Sequence, residues 1–203
     1  MGRKLALVTL VDGADSGRVA ELESAAVLDQ HLPGTVGGGH YTWDGLDEPV
    51  PPNFEDVADV DLVELELIDG VVTDPGFAGE IKRTLLLRTF PDAPADSVAA
   101  FERDLMAMPD HIPAIVNWAL SRVVGPPTSR WTHCWEQEYY TLDGLKVDYM
   151  MSPHHWGLID GWFDPEMPRQ IVDLELAHVY HATDRSVLAA ALGWESLPKG
   201  AGS

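Results

Sequence analysis

The sequence predicts an α+β fold in which two tandem repeats form a pseudodimeric α/β barrel. Three observations support this prediction. The chain has 203 residues, of which 45% are hydrophobic, and this suits a packed core. It matches its own pattern when shifted by 80 positions. Each copy predicts a strand, a helix and two further strands, as in ferredoxin-like units.

The shift of 80 aligns the first strands, "KLALVTLV" and "IKRTLLLRTF", so that Leu5 coincides with Leu85. Short apolar runs bounded by Asp, Gly or Pro are typical of strands. The helices are predicted over "SGRVAELESAAVLDQ" and "ADSVAAFERDLMAM". The segments "DQHLPGTV" and "PDHIPAIV" then superpose His31 on His111, each followed by a helix-ending proline and a second strand.

The third strands, "DVDLVELELIDG" and "RWTHCWEQEYYTLDG", both end in Asp-Gly. Because strand side chains alternate, one face of the second of these carries a single set of residues. These are Trp131, His133, Trp135, Gln137 and Tyr139. Beyond this point the two copies diverge.

Only the second copy continues, with a helix from Leu145 to Met151, a Ser-Pro break, a second helix near residues 155–163 and a final strand. We therefore predict three regions. Residues 1–78 form a truncated β-α-β-β copy with a long acidic loop from Gly37 to Val57. Residues 79–185 form a complete β-α-β-β-α-β copy, and residues 186–203 form a C-terminal tail.

Two such units suggest two sheets that pack face to face around a cavity or a filled core. Two arrangements stay open at this point. Either the halves of one chain complete the barrel, or two chains pair as a homodimer through their second copies.

The formal net charge of −20 would repel phosphate backbones, so we expect no nucleic-acid partner. The single cysteine, Cys134, excludes an intrachain disulfide and suits a reducing compartment. No apolar run approaches the roughly 18 residues of a membrane span. We predict a cytoplasmic protein that does not associate with membranes.

The segment "DYMMSPHHWGLIDGWF" concentrates the candidate chemistry. With "MPDHIPAIVNW" and "WTHCWEQEYY", it resembles the stress-responsive dimeric α/β barrel (Dabb) family over Ile81 to His181. That family has a Tyr, then His-Pro-x-His, a strand His, and a His on the first strand. Tyr149, His155 and His133 match three of these positions, whereas Ser152 and Arg83 replace a histidine each.

The resemblance implies a cofactor-free site in which His155, Tyr149 and His133 act on a small-molecule substrate as acid and base. Arg83, Trp135 and Ser152 are the candidate substrate-binding residues. Family members include a plant polyketide cyclase and a plant hydroxynitrile lyase. A lyase, aldol-type cyclase or isomerase acting on a small aromatic or polyketide-like carbonyl compound is therefore our first hypothesis.

The residue types support this chemistry, because an imidazole exchanges protons near neutral pH and a Tyr hydroxyl can donate to a developing oxyanion. One alternative is a non-catalytic barrel that binds a hydrophobic ligand or serves in stress tolerance. Another is a metal- or haem-dependent oxygenase. Its ligands would come from one set of side chains: His133, His155, Glu136, Glu138, Asp160 and His178. Because the ligand spacing is irregular, we expect no metal.

Overall fold

The computed structural model describes residues 3–25, 27–28, 30–31, 41–45, 56–78 and 81–193. The strands are β1 (Arg3–Leu10), β2 (Val27–Leu28), β3 (Gln30–His31), β4 (Tyr41–Gly45), β5 (Ala58–Val72), β6 (Ile81–Leu87), β7 (Asn117–Gly125), β8 (His133–Tyr139) and β9 (Ala177–Ala182). The α-helices are α1 (Ser16–Ala25), α2 (Ala95–Met106), α3 (Met108–His111) and α4 (Val187–Ala191). Two π-helices, Gly144–Tyr149 and His155–Ile159, precede a 3₁₀ turn at Asp160–Trp162.

All nine strands belong to one sheet, in the order β2-β4-β1-β5-β7-β8-β6-β9-β3. The long strand β5 pairs with β1 on one side and with β7 on the other, so it joins the two halves of the chain edge to edge. The expected α+β barrel-type fold is confirmed, but the expectation of two separate sheets facing each other was wrong. Hydrogen bonding between β5 and β7 removes the exposed edges that two sheets would leave.

The sheet curls until its ends meet. Strands β2 and β3 lie at opposite ends of the strand order, yet only one residue separates them along the chain. Side chains from distant strands also form one apolar cluster on the inner face, where Leu5 and Leu7 of β1 join Leu86 of β6 and Val179 of β9. The interior of the curled sheet is therefore filled by side chains.

The second half has the strand order β7-β8-β6-β9, in which β6 and β9, its first and last strands along the chain, are neighbours. In the first half β4 pairs with β1 at the position that β9 holds beside β6. The first helix ends at Ala25, earlier than the pattern indicated, and the chain continues into β2. Most of the predicted acidic loop lies outside the described residues.

The helices of the second half cover the outer face of the sheet. The amphipathic helix α2 buries Phe101 and Leu105 against the sheet in the largest core cluster. The same cluster includes Leu145 and Tyr149 of the first π-helix and Ile159 of the second. A space between these helices and the sheet remains, and it holds the candidate site.

The segment predicted as a tail begins inside the fold, because Leu188 and Ala189 of α4 are buried. The carboxylate of Glu138 on β8 accepts hydrogen bonds from the backbone N–H groups of Val187 and Leu188, at 2.7 and 3.0 Å. A carboxylate at a helix N-terminus stabilises the unpaired N–H groups there. Glu138 thus attaches α4 to the sheet.

Candidate acid/base site

A pocket of about 210 Å³ lies between β6, β9 and the two π-helices. We call it the helix–sheet pocket. Its walls are formed by Arg83, Leu85, Leu105, Tyr149, Met150, His155, Ile159, Asp160, Phe163, Leu176 and His178. Most of these side chains are apolar, and the polar ones are mainly groups that exchange protons or carry charge.

The break between the π-helices places two of these polar groups together. Pro153 has no backbone N–H to donate to a preceding carbonyl, so the first helix cannot continue through it. Tyr149 ends that helix and His155 begins the next, with ring centroids 4.5 Å apart. Side chains six positions apart are therefore in contact across the break. π-Helical turns are frequent at functional sites.

Arg83 enters the pocket from the sheet and is almost completely buried. On β6 it lies directly opposite Gln137 of β8, and its Nη1 donates a hydrogen bond to the Gln137 side-chain oxygen. Its Nε donates to His178 Nε2 on the neighbouring strand β9. The guanidinium lies over the Tyr149 ring, 4.7 Å from the ring centroid. The cation is thus fixed by two neutral acceptors and an aromatic face.

Both pocket histidines are neutral. Burial, assisted by the charge of Arg83 and by His154, lowers the pKa of His155 to about 4. Burial and Arg83 also hold the pKa of His178 well below its ordinary value. Since Arg83 donates to Nε2 of His178, the single proton of that neutral ring resides on Nδ1.

His155 has an uncommitted imidazole. Its Nδ1 is buried without a hydrogen-bond partner among the described residues. Its Nε2 lies 3.6 Å from the Asp160 carboxylate, beyond hydrogen-bond distance. A neutral ring without a fixed partner can accept a proton, and Asp160 is close enough to pair with the imidazolium that forms.

Tyr149 supplies a hydroxyl that stays protonated, because burial raises its pKa and the charge of Arg83 only partly opposes this. Burial and Asp164 raise the pKa of Asp160. The pocket thus combines a free neutral base, a neutral hydroxyl donor and a permanent cation. That set is sufficient to remove a proton from a carbon acid and to stabilise the resulting oxyanion.

His133, the third candidate catalytic residue, does not reach this pocket. Its Nε2 lies 3.1 Å from the Glu102 carboxylate and its Nδ1 lies 2.8 Å from the Thr132 hydroxyl. Alternation predicted the correct face of β8, but His133 pairs with Leu87 whereas Gln137 pairs with Arg83. Four residues along a strand span about 13 Å, which separates His133 from the Arg83 end of the sheet.

Trp135 and Ser152 also lie outside the pocket walls. Trp135 is fully buried and packs against Trp118, with ring centroids 5.5 Å apart. Ser152 is buried at the break between the π-helices, where its hydroxyl accepts a hydrogen bond from the backbone N–H of His154 at 3.3 Å. The structure therefore brings together three of the six candidate residues, namely Arg83, Tyr149 and His155.

Two polar wall residues were not predicted as site residues. Alternation along β9 indicated that only one of His178 and His181 could face the pocket, but the pairing of His178 with Leu85 depends on strand register. Asp160 follows the second π-helix, and its approach to His155 depends on helix geometry that the sequence pattern does not specify.

In the described part of the chain, no group of three His, Cys, Asp or Glu side chains lies close enough together to hold a metal ion. Of the six side chains considered as metal ligands, His155, Asp160 and His178 line the helix–sheet pocket, and the other three lie outside its walls. Glu136 is paired with Arg3 and Lys82 on the inner face of the sheet. Within the same described ranges, no helix is long and apolar enough to cross a membrane.

Comparison with known families agrees with this geometry. Residues 81–176 match the family model described as Stress responsive A/B Barrel Domain, or Dabb. Arg83, Tyr149, His155 and Asp160 lie inside the Dabb match, and His178 lies two residues beyond it. No curated protein matches the chain by sequence.

Solved structures extend the comparison beyond the Dabb match. An anthrone oxidase-like protein superposes with a TM-score of 0.56 at 9% identity, over 89% of this chain and 91% of the other. This shows that the two halves together form a known fold. Hydroxynitrile lyase from Passiflora edulis covers 54% of this chain and 98% of its own, at 11% identity and a TM-score of 0.44. A dimeric ferredoxin-like protein from Bacteroides fragilis covers 53% and 99%, at 20% identity and a TM-score of 0.40.

Proposed function

We propose that the helix–sheet pocket is an acid/base active site that acts, without a cofactor, on a small carbonyl compound. The observation that carries this proposal is the uncommitted imidazole of His155, in ring contact with Tyr149 and facing a pocket with mostly apolar walls. A pocket built only for a hydrophobic ligand would have no need of a buried imidazole and guanidinium, because buried polar groups are costly.

His155 would act as the general base. It takes a proton from the carbon next to the substrate carbonyl, and the electron pair of that C–H bond moves into an enolate. The Tyr149 hydroxyl donates a hydrogen bond to the enolate oxygen. His155 then returns the proton to another carbon, which completes an isomerisation, or the enolate carbon attacks a second carbonyl carbon of the substrate and the new alkoxide takes the proton back from His155, which completes an aldol-type cyclisation. These two reactions share the first step. In the lyase alternative His155 takes the proton of a β-hydroxyl group instead, the carbon–carbon bond breaks to give a carbonyl product and an enolate, and the enolate takes the proton back from His155.

The pocket size limits the substrate. A dry cavity of about 150 Å³ holds benzene, so 210 Å³ accommodates a single substituted ring and not a fused polycycle. The wall residues Leu105, Ile159 and Phe163 suit the apolar body of such a compound. We therefore propose a single-ring or short-chain carbonyl compound as the substrate.

The shared proton-abstraction step gives a test that does not require the natural substrate. Exchange of the α-protons of acetophenone and benzoylacetone for deuterium can be followed by NMR in D₂O with the purified full-length chain. Replacing His155 by Gln should slow the protein-catalysed exchange by about 10² to 10⁴, the usual contribution of a general base. Tyr149→Phe should also slow it, by removing the hydroxyl donor.

Arg103→Gln is the control, since Arg103 is exposed on α2 outside the pocket walls. Exchange that is no faster than with free imidazole, or that is unchanged in His155→Gln, would refute the proposed active site. A protein that binds these ketones without exchanging their protons would be a ligand carrier instead.

A further inference from the structure

Arg83 differs from the other buried cations of the described chain. Arg3, Lys82 and Arg83 are each less than 10% exposed. Arg3 and Lys82 both contact the carboxylate of Glu136, and the nearest Lys82–Glu136 distance is 2.8 Å. Arg83 has no carboxylate within 4.0 Å among the described residues, and its acceptors are the neutral side chains of Gln137 and His178.

Asp160 is the carboxylate in the pocket wall, and it does not balance this charge. A guanidinium paired with a carboxylate lowers the pKa of that carboxyl group. The pKa of Asp160 is instead raised, by burial and by Asp164, and the Asp160 side chain is half exposed. Burying an unpaired cation is expensive, so the pocket carries a positive charge that calls for an anionic partner.

The rest of the pocket wall indicates the chemistry of the part of the ligand that lies away from Arg83. Beyond Arg83 the pocket is bounded mainly by Leu85, Leu105, Met150, Ile159, Phe163 and Leu176. Arg83 is also hydrogen-bonded to the side chains of Tyr139 and Tyr149, and burial raises the pKa of both hydroxyls, so every described partner of the guanidinium is neutral. A guanidinium binds a carboxylate more strongly than a neutral acceptor.

We propose that the substrate is a small oxo acid, a carbonyl compound that also carries a carboxylate, bound through that carboxylate by Arg83 with an apolar body of about one ring against the helices. This inference rests on the proposed function, since it takes the helix–sheet pocket to be the substrate site. The chain carries a net charge of −20, which repels anions at long range. The attraction therefore has to come from Arg83 inside the pocket.

Binding of such a ligand would also change the pKa of His155, the proposed base. Because the charge of Arg83 contributes to the low pKa of His155, a carboxylate beside Arg83 offsets that effect and raises the pKa towards neutrality. A base with a pKa near the working pH transfers protons more efficiently. Binding of the acid would thus activate His155, whereas a neutral ligand would not.

The test compares benzoate with benzamide, which share a ring and a similar shape and differ in charge. Isothermal titration calorimetry on the full-length chain should show tighter binding of benzoate. Truncating one partner of a buried charge pair costs at least about 2 kcal/mol, so Arg83→Gln should weaken benzoate binding at least about 30-fold and leave benzamide unchanged. Arg103→Gln makes the same change in net charge at an exposed site and should have no effect.

Two further measurements keep the test decisive if Arg83→Gln does not fold. Arg83→Lys retains the charge without the fork of donors and should bind benzoate with intermediate affinity. NMR titration of the wild-type histidines should show that benzoate, and not benzamide, raises the pKa of His155. Equal binding of the two probes, or no benzoate binding to the wild type at millimolar concentration, would overturn the inference.

Turnover does not enter this experiment. Selective benzoate binding without His155-dependent proton exchange would refute the proposed reaction and leave the anion site standing. His155-dependent exchange on neutral ketones with no preference for benzoate would do the reverse, and would assign Arg83 to the oxyanion of the reaction.

Discussion

Replacing His155 by Gln should reduce the decrease in the free energy of unfolding that occurs when the pH is lowered below neutrality. The folded chain holds the pKa of His155 at about 4, against an ordinary value of 6.5. Between these two values the unfolded chain binds a proton and the folded chain does not. Stability therefore falls as the pH is lowered through this window, because protons favour the unfolded state.

The size of the effect follows from the two pKa values. Lowering the pH from about 7.5 to about 5.0 should cost the wild type about 2 kcal/mol through His155 alone. Burial sets this value first, and the charges of Arg83 and His154 lower it further, while Asp160 and His178 are the other titratable groups nearby. They remain in place in His155→Gln, so the difference between the two proteins isolates the imidazole as long as the neighbours respond alike.

Urea unfolding at both pH values, extrapolated to water, measures the four free energies. The wild type should lose about 2 kcal/mol more than His155→Gln between them. His111→Gln is a matched control, since it removes an exposed imidazole and leaves the buried one. If the wild type and His155→Gln lose the same free energy, His155 is not held neutral by burial and its assignment as a free base is wrong.

Three other substitutions test the surroundings of the pocket. His133→Gln should lower the free energy of unfolding by about 1–3 kcal/mol, because Glu102 loses a buried donor, yet leave benzoate affinity unchanged. Glu138→Gln should cost about 1–3 kcal/mol and speed amide exchange in α4, whose N-terminus the carboxylate caps. Trp135→Phe should lower the free energy of unfolding by about 1–3 kcal/mol in urea unfolding, because the smaller ring leaves a cavity in the core, and should leave benzoate affinity unchanged.

Each of these has a contrary outcome. Loss of benzoate binding in a folded His133→Gln protein would place His133 in the site after all. Unchanged exchange in α4 would show that Glu138 does not hold that helix. Loss of benzoate binding in a folded Trp135→Phe protein would place Trp135 in the site.

Local patterns predicted the fold class and part of the site for identifiable reasons. Alternation gave the faces of β8, and the Ser-Pro pair predicted the break between the helix that contains Tyr149 and the helix that begins at His155. Both signals are local in the chain. Which end of a strand lies beside a given helix depends on tertiary packing, and a local pattern does not contain this. His133 was therefore expected beside Tyr149, although it lies at the other end of β8.

Strand order is the other property that the pattern could not supply. The repeat predicted β1 and β5 of the first half but not β4, which lies inside the segment expected to be the acidic loop, and whether β4 pairs with β1 or with β5 depends on which edge is free. Pairing of β5 with β7 occupies that edge, so β4 lies beside β1. Helix α1 ends early because the following residues pair in the sheet, an example of tertiary contacts overriding helical periodicity.

The substitution Arg83→Met tests whether the buried cation is needed for the stability of the fold or for ligand binding. Methionine fills similar volume without charge, so it removes the cost of burying a cation that has no carboxylate partner among the described residues. His178 and Gln137 lose a donor, although Gln137 retains the Tyr139 hydroxyl at 2.8 Å. We expect a higher free energy of unfolding in urea, a raised pKa of His155 by NMR, and no benzoate binding. A less stable variant would show that the fold itself requires the cation. A more stable one that no longer binds the acid would mean that the chain keeps a costly charge for its ligand.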